Sequence, residues 1–176
     1  MADGSFTLIG GGVRSGKSRF ALERALTLGR RRVFVATGEA RDPEMDARIR
    51  AHQAERGQDF QTIEAPRALV QALHGLDDGV EVVLIDCLTL WLSNLLLDGA
   101  DEVGLGEAVE QLVEHVARRA RHVLLVTNEV GMGIVPDNAL SRTFRDAAGR
   151  AHQRLGACAD EVYFAALGQM LRLKPA

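Results

Sequence analysis

Short apolar runs alternate with amphipathic segments along the whole chain. Six runs have the length and composition of β-strands, at residues 6–9, 32–37, 60–63, 81–85, 123–127 and 161–165. Strands that alternate with helical segments are typical of βαβ units, in which helices cover both faces of a parallel sheet. A seventh run, at 169–173, follows Gly168 so closely that we expect it to return antiparallel. The pattern therefore predicts an α/β fold with a mostly parallel sheet, helices on both faces and a C-terminal antiparallel strand.

Helical periodicity predicts helices in the segments between these strands. Helices are predicted at 18–28, 42–56, 66–75, 88–97, 105–120 and 138–157. Asp42, Pro43 and Glu44 supply an N-cap, a proline at the first helical position and a first-turn acid to the second helix. The last two helices carry apolar stripes at helical spacing. These stripes are Val109, Leu112, Val113 and Val116, and Leu140, Phe144, Ala147, Ala148, Ala151 and Leu155.

The size and composition of the chain favour one domain that spans residues 1–176. A length of 176 residues, 47% of them hydrophobic, supports one buried core and is short for two ordinary domains. The net charge of −3 and a pI near 6.0 lack the basic excess of nucleic-acid-binding proteins, so no nucleic-acid partner is expected. Two widely separated cysteines fit a reducing cytoplasm. Neither a signal peptide nor a membrane span is expected.

The motif with the clearest chemical meaning lies within residues 6–20. Gly11, Gly16, Lys17 and Ser18 fit G-x-x-x-x-G-K-[ST], with a predicted strand before the motif and a predicted helix after it. In this phosphate-binding loop (P-loop), backbone N–H groups face a polyphosphate, the lysine reaches its outer phosphates and the hydroxyl ligates Mg²⁺. The helix that follows directs its N-terminal dipole at the anion. A glycine-rich turn without a nucleotide is the alternative, but motif and context agree on a phosphate site.

Polar residues follow the strands at the carboxyl edge of the predicted sheet, where ligands of parallel sheets bind. They are Thr37, Gly38 and Glu39 after the second strand, Glu64 after the third, Asp86 after the fourth, and Asn128 and Glu129 after the fifth. Loops are polar in any protein, so each position alone is weak evidence of a ligand contact. Asp86 is stronger because it ends an apolar strand, as in a Walker B element whose carboxylate helps to hold Mg²⁺. Asp86 could also cap the helix that follows it.

One of the five histidines stands out by its position. Met45, Ile49 and His52 fall on one face of the predicted 42–56 helix. An imidazole directed inward from this helix could approach the phosphate-binding edge of the sheet. A surface or core histidine without chemistry is the ordinary alternative, and the pattern leaves both roles open for His52.

Several segments together resemble the bifunctional adenosylcobinamide kinase / adenosylcobinamide-phosphate guanylyltransferase family of cobalamin assembly. They are GGVRSGKSRFA at 11–21, EMDARIRAHQ at 44–53, the apolar strand ending at residue 86 with SNLL at 93–96, VTNEVGMGIVP at 126–136 and RTFRDAAGRAHQRL at 142–155. The phosphate loop is shared by many families, whereas the C-terminal block is far more specific. The resemblance implies a RecA-like P-loop NTPase fold that assembles as a homotrimer.

The resemblance also implies a two-step reaction. A hydroxyl of adenosylcobinamide attacks the γ-phosphate of ATP or GTP, and GMP from GTP is then moved onto the new phosphate through a guanylylated histidine. That histidine corresponds to His52, with Lys17 as the second catalytic residue. The family's nucleotide contacts carry over to Gly11, Gly12, Val13, Arg14, Ser15, Gly16, Lys17, Ser18, Thr37, Gly38, Glu39, Gln53, Ala54, Glu55, Arg56, Glu64 and Asp86. Ser18 and Asp86 are the expected Mg²⁺ ligands, although some relatives have glutamate in place of Asp86.

Two other functions stay open from the sequence. A simple P-loop kinase of another small molecule would share every motif except the covalent intermediate, and His52 would then be structural. A GTPase-type switch or binding module is less well supported, because the fifth strand leads into Thr127-Asn128-Glu129-Val130 and no N-K-x-D guanine signature is present. No residue pattern identifies a general base for the kinase step, and phosphoryl transfer can depend largely on positioning.

Overall fold

The computed structural model describes residues 4–39 and 58–175. These residues form seven strands and five helices. They follow in the order β1 (Phe6–Gly11), α1 (Lys17–Leu28), β2 (Arg32–Ala36), β3 (Gln61–Glu64), α2 (Leu69–His74), β4 (Val82–Asp86), α3 (Leu88–Leu97), α4 (Glu102–Ala117), β5 (His122–Val126), α5 (Ala139–Cys158), β6 (Glu161–Ala166) and β7 (Gln169–Lys174). The helix predicted at 42–56 lies outside the described residues.

The strands form one sheet in the order β3-β2-β4-β5-β1-β6-β7. Every neighbouring pair is parallel except β6 with β7. β1 lies inside the sheet, with Thr7 paired to Leu124 of β5 on one side and to Glu161 of β6 on the other. Because parallel neighbours cannot be joined by tight turns, helices connect them across the faces of the sheet. The predicted α/β architecture is confirmed.

Alternate strand residues contribute to two apolar cores, one on each face of the sheet. Ile9 and Leu84 pack in the core that contains Ala21 of α1. Their chain neighbours Leu8 and Ile85 pack in the other core, against residues of α2, α3, α4 and α5. Burial on both faces explains why the strands read as nearly continuous apolar runs.

The apolar stripes of α4 and α5 are confirmed with one exception. Leu112 and Val116 of α4 are buried in the core, and so are Ala148 and Leu155 of α5. Leu140, at the start of the α5 stripe, is the exception, because it is 52% exposed, whereas full burial along the stripe begins at Ala147. None of the described helices combines the length and the apolar character that crossing a lipid bilayer requires.

Side-chain caps decide where α4 and α5 begin. The Asp101 carboxylate accepts the N–H of Gly104 at 2.8 Å, and this bond starts α4 three residues before the predicted position. The Asn138 side chain accepts the N–H of Ser141 at 2.8 Å and caps α5, which starts one residue after the predicted position. Both bonds satisfy amide groups that would otherwise lack a partner in the first helical turn.

A tight turn joins β6 and β7. Ala166 pairs with Gln169, so that only Leu167 and Gly168 form the loop. Both have positive φ, 52° and 76°. Two consecutive residues in this conformation form the hairpin turn that matches the twist of the flanking strands. The predicted antiparallel return of the C-terminal strand is confirmed.

Leu112→Ala should lower the free energy of unfolding by about 2–5 kcal/mol, because it leaves a cavity where α4 packs on the sheet. Val103→Ala is the matched control on the same helix, since Val103 is 67% exposed and should change the stability by less than about 0.5 kcal/mol. Urea denaturation of both variants measures the difference. Equal effects of the two substitutions would contradict the described core.

Candidate functional site

β1 leads directly into the glycine-rich loop at the carboxyl edge of the sheet. The loop covers residues 12–16, and α1 begins at Lys17, one residue before its predicted start. Arg14 and Gly16 have positive φ, 53° and 91°. Glycine adopts this conformation without a steric cost, and alternating backbone conformations turn successive N–H groups toward one centre. The backbone is therefore curled as a phosphate-binding loop requires.

Gly11 is the residue at which the loop leaves the sheet, and it has no room for a side chain. Its φ of 152° lies in a region that side chains disfavour. A Cβ on Gly11 would lie 2.7 Å from the carbonyl oxygen and 2.8 Å from the Cβ of Ala165 in β6. Nothing lies within 4 Å of a Cβ built on Gly12. The close approach of β1 to β6 therefore requires glycine at the start of the loop.

The Lys17 side chain folds back over this loop. The residue is only 7% exposed, and its Nζ donates to the carbonyl oxygen of Gly12 at 2.9 Å. The Lys17 charge also acts on the thiol of Cys87, just after β4. The ammonium group is thus bonded to the loop and lies within electrostatic range of the end of β4. This is the position from which the motif lysine reaches the outer phosphates of a nucleotide.

Two further features of the loop are suited to an anion. α1 has no acidic residue in its first turn, and no side chain caps it at Gly16. Its first N–H groups and its dipole therefore point toward the loop. The Ser15 hydroxyl oxygen is buried and has no hydrogen-bond partner in the described part of the chain. A buried hydroxyl without a partner is costly, and a bound phosphate oxygen would satisfy it.

Asp86 reaches the same edge of the sheet from β4. It pairs with Val126 of β5, which in turn pairs with Ile9 of β1, so these three residues lie level across the strands. Two strand spacings separate Asp86 from β1, roughly 10 Å. The Asp86 carboxylate and the Ser18 hydroxyl are oxygen donors of the kind that hold Mg²⁺ together with nucleotide phosphates and water. Among the described residues, no cluster of three or more His, Cys, Asp or Glu side chains offers an all-protein metal site.

Thr37 is a predicted nucleotide contact, but its side chain bonds within the protein. Its Oγ1 donates to the Cys87 carbonyl oxygen and accepts the Cys87 N–H, both at 2.8 Å. The Asn94 amide donates to the carbonyl oxygens of Thr37 and Pro66. These bonds fix the ends of β2, β3 and β4 to one another. Burial, assisted by the Asp86 charge, raises the pKa of the Cys87 thiol to about 11, so this thiol stays protonated.

Two acidic residues that were predicted to contact the nucleotide lie farther along the carboxyl edge of the sheet. Glu39, which follows Gly38 after β2, forms an ion pair with Arg67, and Arg67 also pairs with Asp98. Glu64 is exposed at the end of β3, an edge strand four strands from β1. The usual strand spacing puts Glu64 roughly 19 Å from the loop.

The structure therefore brings only part of the predicted site together. Residues 11–18 form the loop, and Asp86 ends a strand nearby. Residues 37–39 follow β2, the strand beyond β4, and Glu64 lies at the sheet edge. His52 and residues 53–56 lie outside the described residues, so their placement stays a prediction.

A cleft of about 440 Å³ opens beside the loop. Its walls include residues 12–15, Glu129 and Met132, and the end of β6 with the turn at 167–168. The contribution of the C-terminal hairpin was not predicted, since no local pattern encodes that β6 pairs with β1. The rim position of Glu129 was predicted, but a chemical role was not.

His152 of α5 was not singled out from the sequence, yet it lies next to Glu129 at this cleft. Its Nε2 is 2.8 Å from the Thr127 hydroxyl, and its Nδ1 is 3.6 Å from the Glu129 carboxylate. Burial lowers the pKa of His152 below the ordinary value of 6.5, and the Glu129 charge partly opposes this shift. His152 lies four residues after the buried Ala148, so helical spacing alone could have placed it on the inward face.

Residues 7–173, from β1 to β7, match the family model of cobinamide kinase / cobinamide phosphate guanyltransferase. The chain belongs to this family. The resemblance that was inferred from the motifs is confirmed.

Curated relatives agree with the family model. The chain is 38% identical over 179 residues to the bifunctional adenosylcobalamin biosynthesis protein CobU of Escherichia coli K12, covering 95% of this chain and 98% of the relative. It is 41% identical over 167 residues to the bifunctional adenosylcobalamin biosynthesis protein CobP of Pseudomonas aeruginosa PAO1, covering 95% and 96%. The similarity thus extends over nearly the full length of both chains.

Solved structures support the fold alone. The flagellar accessory protein FlaH of Methanocaldococcus jannaschii matches 97% of this chain and 78% of its own, with a TM-score of 0.56 at 12% identity. The RadB recombinase matches 97% and 87%, with a TM-score of 0.54 at 17% identity. A type III secretion ATPase of pathogenic bacteria matches 93% and 51%, with a TM-score of 0.58 at 13% identity. The predicted RecA-like P-loop NTPase fold is confirmed.

Gly11→Ala should measurably lower the midpoint temperature of unfolding. The new Cβ would collide with the backbone of β6, and alanine would have to adopt a positive φ that disfavours a side chain. Gly12→Ala is the matched control, since its Cβ meets open space. Differential scanning calorimetry without nucleotide compares the two variants with the wild type. A midpoint for Gly11→Ala equal to that of Gly12→Ala would show that the close approach of β1 to β6 does not require glycine.

Proposed function

We propose that this protein phosphorylates adenosylcobinamide with ATP or GTP and then transfers GMP from GTP to adenosylcobinamide phosphate, giving adenosylcobinamide-GDP. The match of residues 7–173 to the kinase and guanyltransferase family carries the proposal. The curled loop with Lys17 folded over it supports nucleotide binding at the end of β1. A corrinoid alcohol and a nucleoside triphosphate are therefore the substrates.

In the kinase step, the hydroxyl oxygen of the aminopropanol arm attacks the γ-phosphorus. The new O–P bond forms as the bond from the γ-phosphorus to the bridging oxygen breaks, and the nucleoside diphosphate leaves with that electron pair. The backbone N–H groups of residues 12–16 and the Lys17 ammonium bind the phosphates and stabilise the charge that develops on them. Positioning and charge stabilisation by the loop provide most of this catalysis.

In the transferase step, an imidazole nitrogen of His52 attacks the α-phosphorus of GTP and pyrophosphate leaves. A phosphate oxygen of adenosylcobinamide phosphate then attacks the same phosphorus, and the P–N bond to His52 breaks. A neutral imidazole is a competent nucleophile for this chemistry. The position of His52 within the family motif supports its assignment, and the nucleotide contacts proposed at 37–39, 53–56 and Glu64 rest on the same resemblance.

Mg²⁺ fits the donors at the loop. The Ser18 hydroxyl and the Asp86 carboxylate would hold the ion together with phosphate oxygens. When bound, it would neutralise phosphate charge in both steps. Lys17 and Arg14 place protein cations at the same loop.

A homotrimer in the cytoplasm completes the proposal. The trimer is implied by the family resemblance and supported by apolar side chains that the described chain leaves in solvent. Met132, Ile134 and Leu167 are 81%, 96% and 101% exposed, and exposed apolar residues of this kind are typical of interfaces. Both cysteines are free thiols, which supports a reducing compartment.

Incubation with GTP labelled at the α-phosphate should place one label per chain on the wild-type protein, and His52→Ala should abolish it. A phosphorus–nitrogen bond survives denaturing electrophoresis at alkaline pH and is lost in acid, so the stability of the label identifies the bond. His74→Ala is the matched control, because His74 is exposed at the end of α2 and should label like the wild type. A kinase that phosphorylates its substrate without any label would contradict the transferase half of the proposal.

A further inference from the structure

The backbone of Glu129 is bonded to the phosphate-binding loop. β5 continues beside β1 beyond the last paired strand residues, since Thr127 N–H donates to Ile9 at 2.9 Å and Glu129 N–H donates to Gly11 at 3.0 Å. Gly11 is the residue at which the loop begins. Any nucleotide held by the loop is therefore held next to Glu129.

Each oxygen of the Glu129 carboxylate has a polar neighbour. One oxygen accepts the N–H of Gly131, and the other lies 3.6 Å from His152 Nδ1. The side chain is 26% exposed, and Glu129 lines the cleft together with residues 12–15. A partly exposed carboxylate with its own hydrogen bond thus lies at the wall of the cleft beside the loop.

The ionic surroundings of Glu129 differ from those of other carboxylates in the protein. Within residues 4–39 and 58–175, no arginine or lysine forms an ion pair with Glu129. The nearby titratable side chain is that of His152, 3.6 Å away. Arginine-paired carboxylates of the same part of the chain include Glu39, Glu110, Asp160 and Glu161. A carboxylate without a permanent cation keeps its oxygens available to a hydroxyl group in the cleft.

His152 orients this carboxylate without neutralising it. Burial lowers the pKa of His152, which favours the neutral ring. The Thr127 hydroxyl lies 2.8 Å from Nε2, and in the tautomer in which it donates to Nε2 the ring proton is on Nδ1, on the side of Glu129. The order Thr127, His152, Glu129 resembles the arrangement in which one group orients another for proton transfer.

We propose that Glu129 is the general base of the kinase step and that His152 is its positioning residue. The assignment rests on the proposed function, because it adds a residue to a step of that reaction. Glu129 accepts the proton of the substrate hydroxyl as the oxygen bonds to the γ-phosphorus and the nucleoside diphosphate leaves. The proton then passes from the carboxyl group to solvent through the open side of the cleft.

Glu129→Gln tests the base while preserving the structure, because the amide oxygen can still accept the Gly131 N–H. The measurement is the rate of adenosylcobinamide phosphate formation from adenosylcobinamide and Mg·ATP at saturating substrate. We expect kcat to fall roughly 100-fold or more, as for loss of a general base. Glu107→Gln, at an exposed position of α4, is the matched control and should leave the rate unchanged.

A second readout separates base catalysis from nucleotide binding. The Glu129→Gln protein should retain the Kd of the wild type for Mg·ATP within about threefold, whereas a role in nucleotide binding would weaken the Kd in parallel with kcat. His152→Leu should lower kcat at unchanged nucleotide KM. His152→Asn, which can still donate to Glu129, should restore part of the loss.

A fall in kcat of less than tenfold for Glu129→Gln, or a parallel loss of nucleotide affinity, overturns the assignment of Glu129. A fall of tenfold or more at unchanged affinity supports it. Failure of the wild type to phosphorylate adenosylcobinamide overturns the proposed function and this inference together. When the wild type is active, a Glu129→Gln protein that keeps its kcat counts against the base alone and leaves the proposed function standing.

Discussion

The close approach of β1 to β6 at Gly11 is the constraint on which the site depends. A Cβ at this position would lie 2.7 Å from a backbone oxygen of β6, so only glycine lets β1 end where it does. Immediately after it, the chain must curl within five residues and enter α1 with its first amides directed at the loop. The apolar residues of β1 are buried on both faces of the strand and anchor the loop to the interior of the sheet. The loop is therefore a rigid feature of the sheet.

Hydrogen bonds beyond the strand ends extend this rigidity along the carboxyl edge. Thr37 and Asn94 join the ends of β2, β3 and β4, and Glu129 donates its N–H to Gly11 from the end of β5. Each bond satisfies a buried polar group, which would be costly to leave without a partner. As a result, Asp86 and Glu129 reach the edge from strands whose ends are fixed to one another, beside the loop that leads into Lys17 of α1. A phosphoryl-transfer site needs this arrangement, since its catalysis consists largely of positioning and charge stabilisation.

Local patterns predicted the features that depend on neighbours in sequence. Apolar runs predicted every described strand, the short connection at Gly168 predicted the antiparallel β7, and the glycine and lysine spacing predicted the loop. Features that depend on long-range pairing could not be predicted in this way. The hairpin wall of the cleft and the contact of His152 with Glu129 arise from strand order and from the packing of α5, neither of which has a local signature. The apolar stripe of α5 includes Leu140, which is 52% exposed, because periodicity does not show where a helix extends beyond the sheet.

The central claim is that the loop after β1 binds a nucleoside triphosphate through Lys17. Isothermal titration of Mg·GTP into the wild type and Lys17→Met tests it most directly, with Lys174→Met as a control on the only other lysine of the chain. Loss of a charged hydrogen bond to phosphate costs about 1.5–3 kcal/mol, so Lys17→Met should bind at least tenfold more weakly while Lys174→Met binds like the wild type. Equal affinity of all three proteins for Mg·GTP would contradict the account.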